Sequence, residues 1–322
     1  KKASDLPRLI EVLKQVSKED PSVTIEINEE TGENLMHGMG ELHLEVIENR
    51  IKTEKGLDVK TSAPIVVYRE TVTKKTAKEV EGKSPNKHNK FYLIVEPLQD
   101  EVYGAIKNGE IPEGRVKKND KRLLEVFRKL GWDAKMARNI RDVFKGNLFL
   151  DQTRGEVHIG EVIEMVLDAY EQVMKEGPLA REPGTKMMVS LMDTKLHEDA
   201  IHRGPAQVLP AVRASIKGAM LESGALIYEP VQILQIEVPL EFMGEISKLV
   251  QNKRGQLLEM NQDSGHITVK AKLPVAEMFG LSNDLRSATA GRGVQYLVDQ
   301  MYEKLPNELQ SKIIRNIRER KG

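Results

Sequence analysis

The chain has 322 residues and no cysteine, which excludes disulfide bonds, thiolate metal sites and cysteine nucleophiles. Its 49 basic and 49 acidic side chains balance, which argues against strong overall attraction to nucleic acid or an anionic membrane. The length favours two or three hydrophobic cores, and the lack of a long apolar stretch or signal core favours a cytoplasmic protein that does not insert into a membrane.

The first segment, residues 1–72, combines helical and alternating apolar patterns. Ser4 is a candidate helix cap, and the turn Glu30-Thr31-Gly32 separates two predicted strands. The predicted elements are a helix over 6–16, strands over 23–27 and 34–37, a helix over 42–51 that ends before Gly56, and strands over 58–61 and 65–68.

The pattern of the middle segment, residues 73–229, predicts a separate α+β domain. The predicted elements are strands over 91–95, 147–150 and 187–191, and helices over 121–130, 161–175 and 207–223. Leu209, Val212, Ile216 and Met220 lie along one predicted face of the last helix.

The last segment, residues 230–322, has the order β-α-β-β-α-β. The predicted elements are strands over 231–238, 257–261, 267–273 and 294–298, with helices over 242–253 and 278–289; Gly255 ends the first helix, and Asp263-Ser264-Gly265 joins the middle strands. This order is the ferredoxin-like split βαβ, and the first segment looks like the same fold without its opening strand. We therefore predict a multi-domain α+β protein.

A final helix is predicted over residues 306–320. Its basic side chains outnumber its acidic ones toward the end and predict a local basic patch of Lys312, Arg315, Arg318, Arg320 and Lys321.

Gly82-Lys83-Ser84 resembles the end of a phosphate-binding loop. That loop needs a glycine five residues before Gly82, where this chain has Ala77, so its backbone has no reason to wrap a phosphate. We therefore expect no binding of GTP or ATP by this chain alone.

Two pairs of histidines could suggest metal ligands. His197 and His202 are five residues apart, and on a helix their rings would diverge by about 140° at about 100° per residue. His37 and His43 flank two glycines before a predicted helix, which favours a tight turn into that helix over a ligand pair. Metal binding is the minority interpretation of both.

Residues 196–210 join a strand ending near Leu191 or Met192 to the helix beginning near Gln207. The histidines beside Gly204-Pro205 favour a stiff, exposed loop. Spacing alone leaves open whether these histidines are functional or incidental.

This loop resembles the diphthamide loop of archaeal and eukaryotic elongation factor 2. The matching residues are Leu196-His197-Glu198-Asp199-Ala200-Ile201-His202-Arg203-Gly204, and further matches are His37 to Leu44, Ser84 to Asn89, Lys253-Arg254-Gly255 and Asp284 to Ser287. The resemblance covers essentially the whole chain. It implies the family's third, fourth and fifth domains over residues 1–72, 73–229 and 230–322, the fourth similar to a ribosomal protein S5 domain.

In the family, the histidine at the position of His202 becomes diphthamide, which carries a quaternary ammonium built from S-adenosylmethionine. The resemblance implies that diphthamide-synthesis enzymes act on His202 and that ADP-ribosylating toxins accept the modified ring. A permanent charge remains at cytoplasmic pH, whereas an imidazole with a pKa near ~6.5 is mostly neutral there.

The resemblance also implies a tip that enters the decoding region of the ribosome beside transfer RNA and messenger RNA. Shape and phosphate contacts are expected to dominate. The implied RNA contacts are His197, Asp199, Ile201, Arg203 and Gly204 in one loop, and Ser84, Pro85, Asn86, Lys87, His88 and Lys90 in the other.

The resemblance implies that this chain lacks the family's GTPase domain. No catalytic residue, metal or cofactor is therefore expected here, and GTP and magnesium would belong to the missing domain. Pro205-Ala206 stands where eukaryotic relatives have two glycines, which favours the archaeal branch. The alternatives are a general structured-RNA-binding module and a metal-dependent hydrolase using the region of His197 and His202.

Overall fold

The structure is a computed structural model that describes residues 6–27, 34–39, 41–61, 65–116, 120–153 and 158–321. The chain forms two compact units, residues 1–66 with 230–301 and residues 67–229 with 302–322, called the first and second units below. No helix in the described ranges combines the length and apolar character needed to cross a membrane. The predicted cap Ser4 and turn Glu30-Thr31-Gly32 lie outside the described residues.

The described residues form a mixed α+β protein with several sheets. The helices are α1 (Leu6–Glu19), α2 (Glu41–Thr53), α3 (Asp100–Lys107), α4 (Lys121–Lys129), α5 (Ala134–Arg138), α6 (Ile159–Lys175), α7 (Pro205–Glu222), α8 (Met243–Asn252), α9 (Leu281–Ala288) and α10 (Asn307–Lys321). The strands are β1 (Thr24–Ile27), β2 (Asn34–His37), β3 (Arg69–Val72), β4 (Val80–Lys83), β5 (Lys90–Pro97), β6 (Gly114–Arg115), β7 (Ile140–Phe144), β8 (Asn147–Asp151), β9 (Met187–Lys195), β10 (Ala225–Pro239), β11 (Gln256–Asp263), β12 (His266–Pro274) and β13 (Val294–Lys304).

The N-terminal part of the first unit contains a two-stranded antiparallel sheet, β1 with β2, in the register Thr24↔His37. Helices α1 and α2 bury Val16 and Ile47 in a common core. The helices and both strands were predicted. The strands predicted over 58–61 and 65–68 were wrong: these residues lie outside any sheet, and pairing begins at Arg69, where β3 joins β10.

The rest of the first unit contains strands in the spatial order β11-β12-β10-β13. The strand predicted over 231–238 lies within β10, which pairs with β12 without a break from Val231 to Pro239. The predicted turn adopts left-handed backbone angles at Ser264 and Gly265, as a two-residue hairpin requires. After α8 the left-handed residue is Arg254, and Gly255 leaves room for the carbonyl of Val250, 2.8 Å from where a Cβ would lie.

The second unit is built on a six-stranded sheet in the order β4-β5-β9-β8-β7-β6. All its pairings are antiparallel except that of β8 with β9. Helices α6 and α7 contribute Tyr170 and Val212 to one core with Phe91 of β5, while Trp132 and Phe127 belong to a second core.

All six elements predicted for the middle segment are present with ends shifted by a few residues. Five others were missed: β4, α3, α5, β6 and β7. All are eight residues long or shorter, so each contains only one or two repeats of its apolar period. Short elements therefore depend on contacts that a local pattern does not record.

Gly82 lies in β4, opposite Phe91 of β5. A Cβ at this position would lie 2.0 Å from the carbonyl oxygen of Ala211 in α7, so only glycine permits this approach of helix to strand. The close packing of α7 on β4 accounts for the glycine of the Gly82-Lys83-Ser84 motif, and phosphate binding is not needed to explain it.

The predicted basic patch on α10 is partly used inside the second unit. Lys321 lies 3.0 Å from the buried carboxylate of Glu182, and Arg320 lies 3.5 Å from it. Arg318 donates to the carbonyl oxygen of Leu179. The patch prediction is corrected accordingly, because these three cations hold the helix to the loop after α6.

Asp142 in β7 is a buried carboxylic acid of the second unit. The pKa of Asp142 is raised to about 7, chiefly by burial and also by neighbouring Glu171, against the opposing effect of the Arg115 guanidinium. The Nε of Arg115 lies 3.5 Å from Asp142 Oδ2. Folded chains therefore retain a proton on Asp142 at pH values where the unfolded chain has released it.

We predict that the free energy of unfolding of the second unit falls as pH rises from about 4 to about 7, by up to about 1.4 kcal/mol per pH unit. Asp142→Asn removes this contribution. The free energy of unfolding of the variant minus that of wild type should therefore increase with pH in that window. Urea unfolding followed by fluorescence of Trp132, the only tryptophan, measures it. Asp100→Asn controls for loss of an exposed carboxylate. A difference between Asp142→Asn and wild type that is independent of pH would contradict the prediction.

Candidate functional site

Two loops leave the same end of the central strand pair of the second unit. Loop A, residues 84–89, joins β4 to β5, and loop B, residues 196–204, joins β9 to α7. Antiparallel pairing of β5 with β9 places Lys90, the first residue of β5, opposite Lys195, the last residue of β9. The two loops are therefore neighbours, although more than 100 residues separate them in the sequence.

Loop A is a tight turn closed at its base. The Ser84 N–H donates to the Asn89 carbonyl at 2.9 Å, and the Asn89 N–H donates to Ser84 Oγ at 3.0 Å. Lys87 has a φ of 63° in the left-handed region, and its N–H donates to the Ser84 carbonyl. The closed base leaves the side chains of Pro85, Lys87 and His88 exposed.

Loop B is folded by short-range hydrogen bonds. His197 Nδ1 accepts from the Asp199 N–H at 3.0 Å, and Asp199 Oδ1 accepts from the Ile201 N–H at 3.0 Å. A 3₁₀ turn over Ala200–His202 follows, and Gly204 caps α7 with Pro205 in the first turn. The Ile201 side chain is 78% exposed, so the loop presents an apolar group to solvent.

Three imidazole rings from the two loops form a cluster. The ring centroids of His197 and His202 are 4.5 Å apart, and His88 lies 5.0 Å and 4.9 Å from them. The expected divergence of His197 and His202 was wrong, because the chain between them is a turn and a 3₁₀ segment instead of a helix. Among the described residues, no group of three or more His, Asp or Glu side chains could hold a metal ion.

The buried side chain of Asn89 connects loop A to both ends of loop B. Its Nδ2 donates to the His202 carbonyl at 2.7 Å, and its Oδ1 accepts from the His197 N–H at 3.1 Å. The Asn86 Nδ2 donates to the same carbonyl over a longer distance of 3.3 Å, and the Asn86 backbone N–H donates to Gln207 Oε1 at 2.9 Å. Loop B is thereby held against loop A.

Arg203 supports loop B from beneath. Its guanidinium donates to the carbonyl oxygens of His197 and Glu198 and to the carboxylate of Glu161 in α6, and the residue is only 5% exposed. Bonds from His158 and Arg203 lower the pKa of Glu161, which keeps this partner anionic. The fixed charge of Arg203 is used inside the protein.

The structure divides the sequence-predicted site residues into two groups. The exposed or half-exposed group consists of Pro85, Asn86, Lys87, His88, Lys90, His197, Asp199, Ile201, His202 and Gly204. Ser84 and Arg203 are buried, with 2% and 5% exposure. The sequence interpretation placed both in contact with RNA. Their polar groups bond within and beneath the loops, and their contact with RNA stays a prediction.

Lys90 is paired with a neighbouring carboxylate. Its Nζ lies 2.9 Å from Glu81 Oε2, and this bond raises the pKa of Lys90 and lowers that of Glu81. Tyr92 donates to the same carboxylate at 3.0 Å. A phosphate at Lys90 would compete with this pair.

Sequence reasoning missed three supporting residues: Asn89, Gln207 and Glu161. Asn89 is the last residue of the recognised motif Ser84 to Asn89 but was not named as a site residue, although an asparagine directly before an apolar strand is a signal for side-chain bonding to a loop. Gln207 and Glu161 gave no local signal, since both lie on helices whose contacts with the loops are set by the tertiary fold.

The His37–His43 motif serves a structural turn in the first unit, in agreement with the sequence interpretation. His43 Nδ1 accepts from the Met39 N–H at 3.1 Å, and Nε2 lies 2.8 Å from Asp20 Oδ2. Bonds from Ser22 and His43 lower the pKa of Asp20 to about 2. Gly40, within the motif, lies outside the described residues.

Comparison with known proteins gives matches along the chain. Three family models match in order: Elongation Factor G, domain III, at residues 1–63; Elongation factor G, domain IV, at 109–224; and Elongation factor G C-terminus at 226–313. Elongation factor 2 of Methanosphaera stadtmanae is 52% identical, and that of Pyrococcus horikoshii 50% identical, each over 100% of this chain and 44% of the relative.

These matches place the chain among the elongation factors of translation. It belongs to the elongation factor 2 family and matches the C-terminal portion of these relatives. The chain spans 44% of the length of the curated relatives it matches.

We predict that Arg203→Met loosens loop B, because the His197 and Glu198 carbonyls lose their donor. A hydrogen bond to a charged group contributes about 1.5–3 kcal/mol, so amide hydrogen exchange in residues 197–203 should accelerate roughly tenfold or more. Arg213→Met, on the exposed face of α7, is the matched control. Equal exchange rates in the two variants would refute a supporting role for Arg203.

Proposed function

We propose that this chain is the ribosome-binding part of a translation elongation factor. Together with the GTPase domain expected in the remainder of the full-length protein, it promotes GTP-dependent translocation of transfer RNA and messenger RNA. The observation that carries the proposal is the pair of loops A and B, which present His88, His197 and His202 at one end of a buried strand pair. Membership of the elongation factor 2 family supports it.

The proposed binding partner is RNA of the ribosomal decoding region. Lys87 is exposed at the turn of loop A, and Ile201 is exposed in loop B, so the two loops offer a cation for phosphate and an apolar group for a base or sugar. His88, His197 and His202 add flat rings that can stack on unpaired bases. No sequence readout is needed for such contacts.

We further propose that His202 is modified to diphthamide. The exposed side chains of loop B include Glu198 and Asp199, whereas the cation Arg203 is buried. Unmodified loop B therefore has no exposed fixed positive charge, and its carboxylates would repel phosphate. A quaternary ammonium on His202 would supply the missing charge at every physiological pH.

The finer domain assignment is also proposed. The order β11-β12-β10-β13 supports a ferredoxin-like arrangement for residues 230–322, and the helices α1 and α2 around the β1–β2 pair support a related one for residues 1–72. Residues 73–229 would be the S5-like domain that carries the tip. The compact units divide after residues 66, 229 and 301, so residues 67–72 and 302–322 group with the tip domain.

This assignment has consequences for chemistry and partners. We propose that the chain is not itself an enzyme and that GTP and magnesium bind the missing GTPase domain. The diphthamide-synthesis enzymes would be partners of loop B, and ADP-ribosylating toxins would be partners only after modification. We propose a cytoplasmic location, where ribosomes translate.

The first test is the mass of the tryptic peptide 196–203 from protein purified from its native source. Cleavage after Lys195 and Arg203 releases a peptide with two histidines, His197 and His202. We predict added mass, and fragment ions should assign it to His202. His197 in the same peptide is the internal control. An unmodified peptide, or mass on His197, would contradict the assignment of His202.

The second test is ribosome binding as a function of salt. We predict that Lys87→Gln weakens co-sedimentation with ribosomes and reduces the slope of log affinity against log salt by about one, as expected for one lost phosphate contact.

Lys312→Gln, at an exposed lysine of α10, is the control for charge loss away from the loops. Affinity for unrelated structured RNA equal to that for ribosomes would instead support a general RNA-binding module.

A further inference from the structure

Asn89 occupies a position from which one amide group restrains both ends of loop B. The residue has 0% exposure, yet its neighbour His88 is exposed. Its backbone is itself fixed, because its N–H and carbonyl both bond to Ser84. Loop A therefore holds the side-chain amide of Asn89 in a fixed position against loop B.

The two bonds of this amide reach the two residues whose rings pack together. Nδ2 donates to the carbonyl of His202 and Oδ1 accepts from the N–H of His197, so the amide spans the five-residue separation between them. The amide supplies both a donor and an acceptor in this geometry, whereas an ionised carboxylate could only accept. The backbone of each histidine is thus fixed from one point.

The restraint explains why the His197 and His202 rings are close. Residues in a surface loop are usually mobile, and ordering a ring costs conformational entropy. Here the backbone positions are set by Asn89, and His88, the preceding residue, places its own ring 4.9 Å from that of His202. One turn of loop A therefore orients the His202 ring from two sides.

We propose that Asn89 is the positioning residue that presents the His202 ring to the modifying enzyme. This inference rests on the proposed modification of His202. Asn89 would not touch the reacting atoms; it would hold the loop in the accepted geometry before the enzyme binds. Its loss would therefore slow modification without removing the modified residue or any exposed group of the loop.

The decisive variant is Asn89→Asp, which keeps the size and the acceptor but loses the donor to His202. The matched control is Asn147→Asp. Asn147 is equally buried, donates to Gly184 at 2.9 Å and accepts from Met187 at 3.0 Å. It is the first residue of β8 and contacts the start of β9, whereas loop B follows the end of β9. Comparing Asn89→Asp with Asn147→Asp separates an effect on the position of loop B from a loss of global stability.

Two measurements are made on the full chain. The first is the nuclear Overhauser contact between the ring protons of His197 and His202 in the unmodified chain, which contains seven histidines. The second is the initial rate at which the diphthamide-synthesis enzymes, supplied with S-adenosylmethionine, add mass to peptide 196–203. We expect Asn89→Asp to abolish the ring contact and slow modification roughly tenfold or more.

Asn147→Asp should retain both the ring contact and the wild-type rate while showing a comparable loss of thermal stability. A retained ring contact with a normal rate in Asn89→Asp would overturn the inference. An equal loss of rate in both variants would overturn it too, because the effect would then be global. If wild-type chain is not modified at all, the proposed modification fails, while the ring contact still decides whether Asn89 positions His202.

Discussion

The antiparallel pairing of β5 with β9 is the constraint on which the candidate site depends. These strands form the centre of the larger core, and their register ends with Lys90 opposite Lys195. The register shifts once, between Tyr92 and Leu93, and from there to the loops burial alternates, with Phe91 and Thr194 buried and Asp193 and Lys195 exposed. A shift of one residue in this part would turn charged side chains toward the core. The positions of loops A and B relative to each other along the strand direction are therefore set by burial in the sheet and not by the histidines themselves.

Much of this framework could be predicted from the sequence, because long periodic segments such as α6 and β9 carry several repeats of their pattern. The surface position of loop B was also predictable from its histidines beside Gly204-Pro205. The ring cluster was not, since spacing arithmetic assumed a helix between His197 and His202. Likewise Arg203 looked like an exposed cation, and only the tertiary fold shows that Glu161 lies beneath it.

The residues that support the loops differ in kind from those that the loops expose. The buried groups are polar and bonded: Asn89 bonds to backbone atoms of loop B, and the two terminal nitrogens of Arg203 bond to two carbonyls and a carboxylate. Such networks are favourable only when their members are satisfied, and they then fix one geometry. Rigid support allows a surface loop to hold its rings in place without burying them, which a binding or modification site requires.

The charge of the site follows from this difference between the buried supporting residues and the exposed residues. Arg203 is removed from the surface by its structural role, and Lys90 is paired with Glu81, so both cations are engaged by partners within the protein. Glu198 and Asp199 remain exposed beside His202. Because a phosphate backbone is attracted by fixed positive charge, an unmodified loop of this composition binds it weakly. A permanent cation at one ring, placed without disturbing the buried supports, gives a physical reason for the proposed modification of His202 in preference to an arginine at that position.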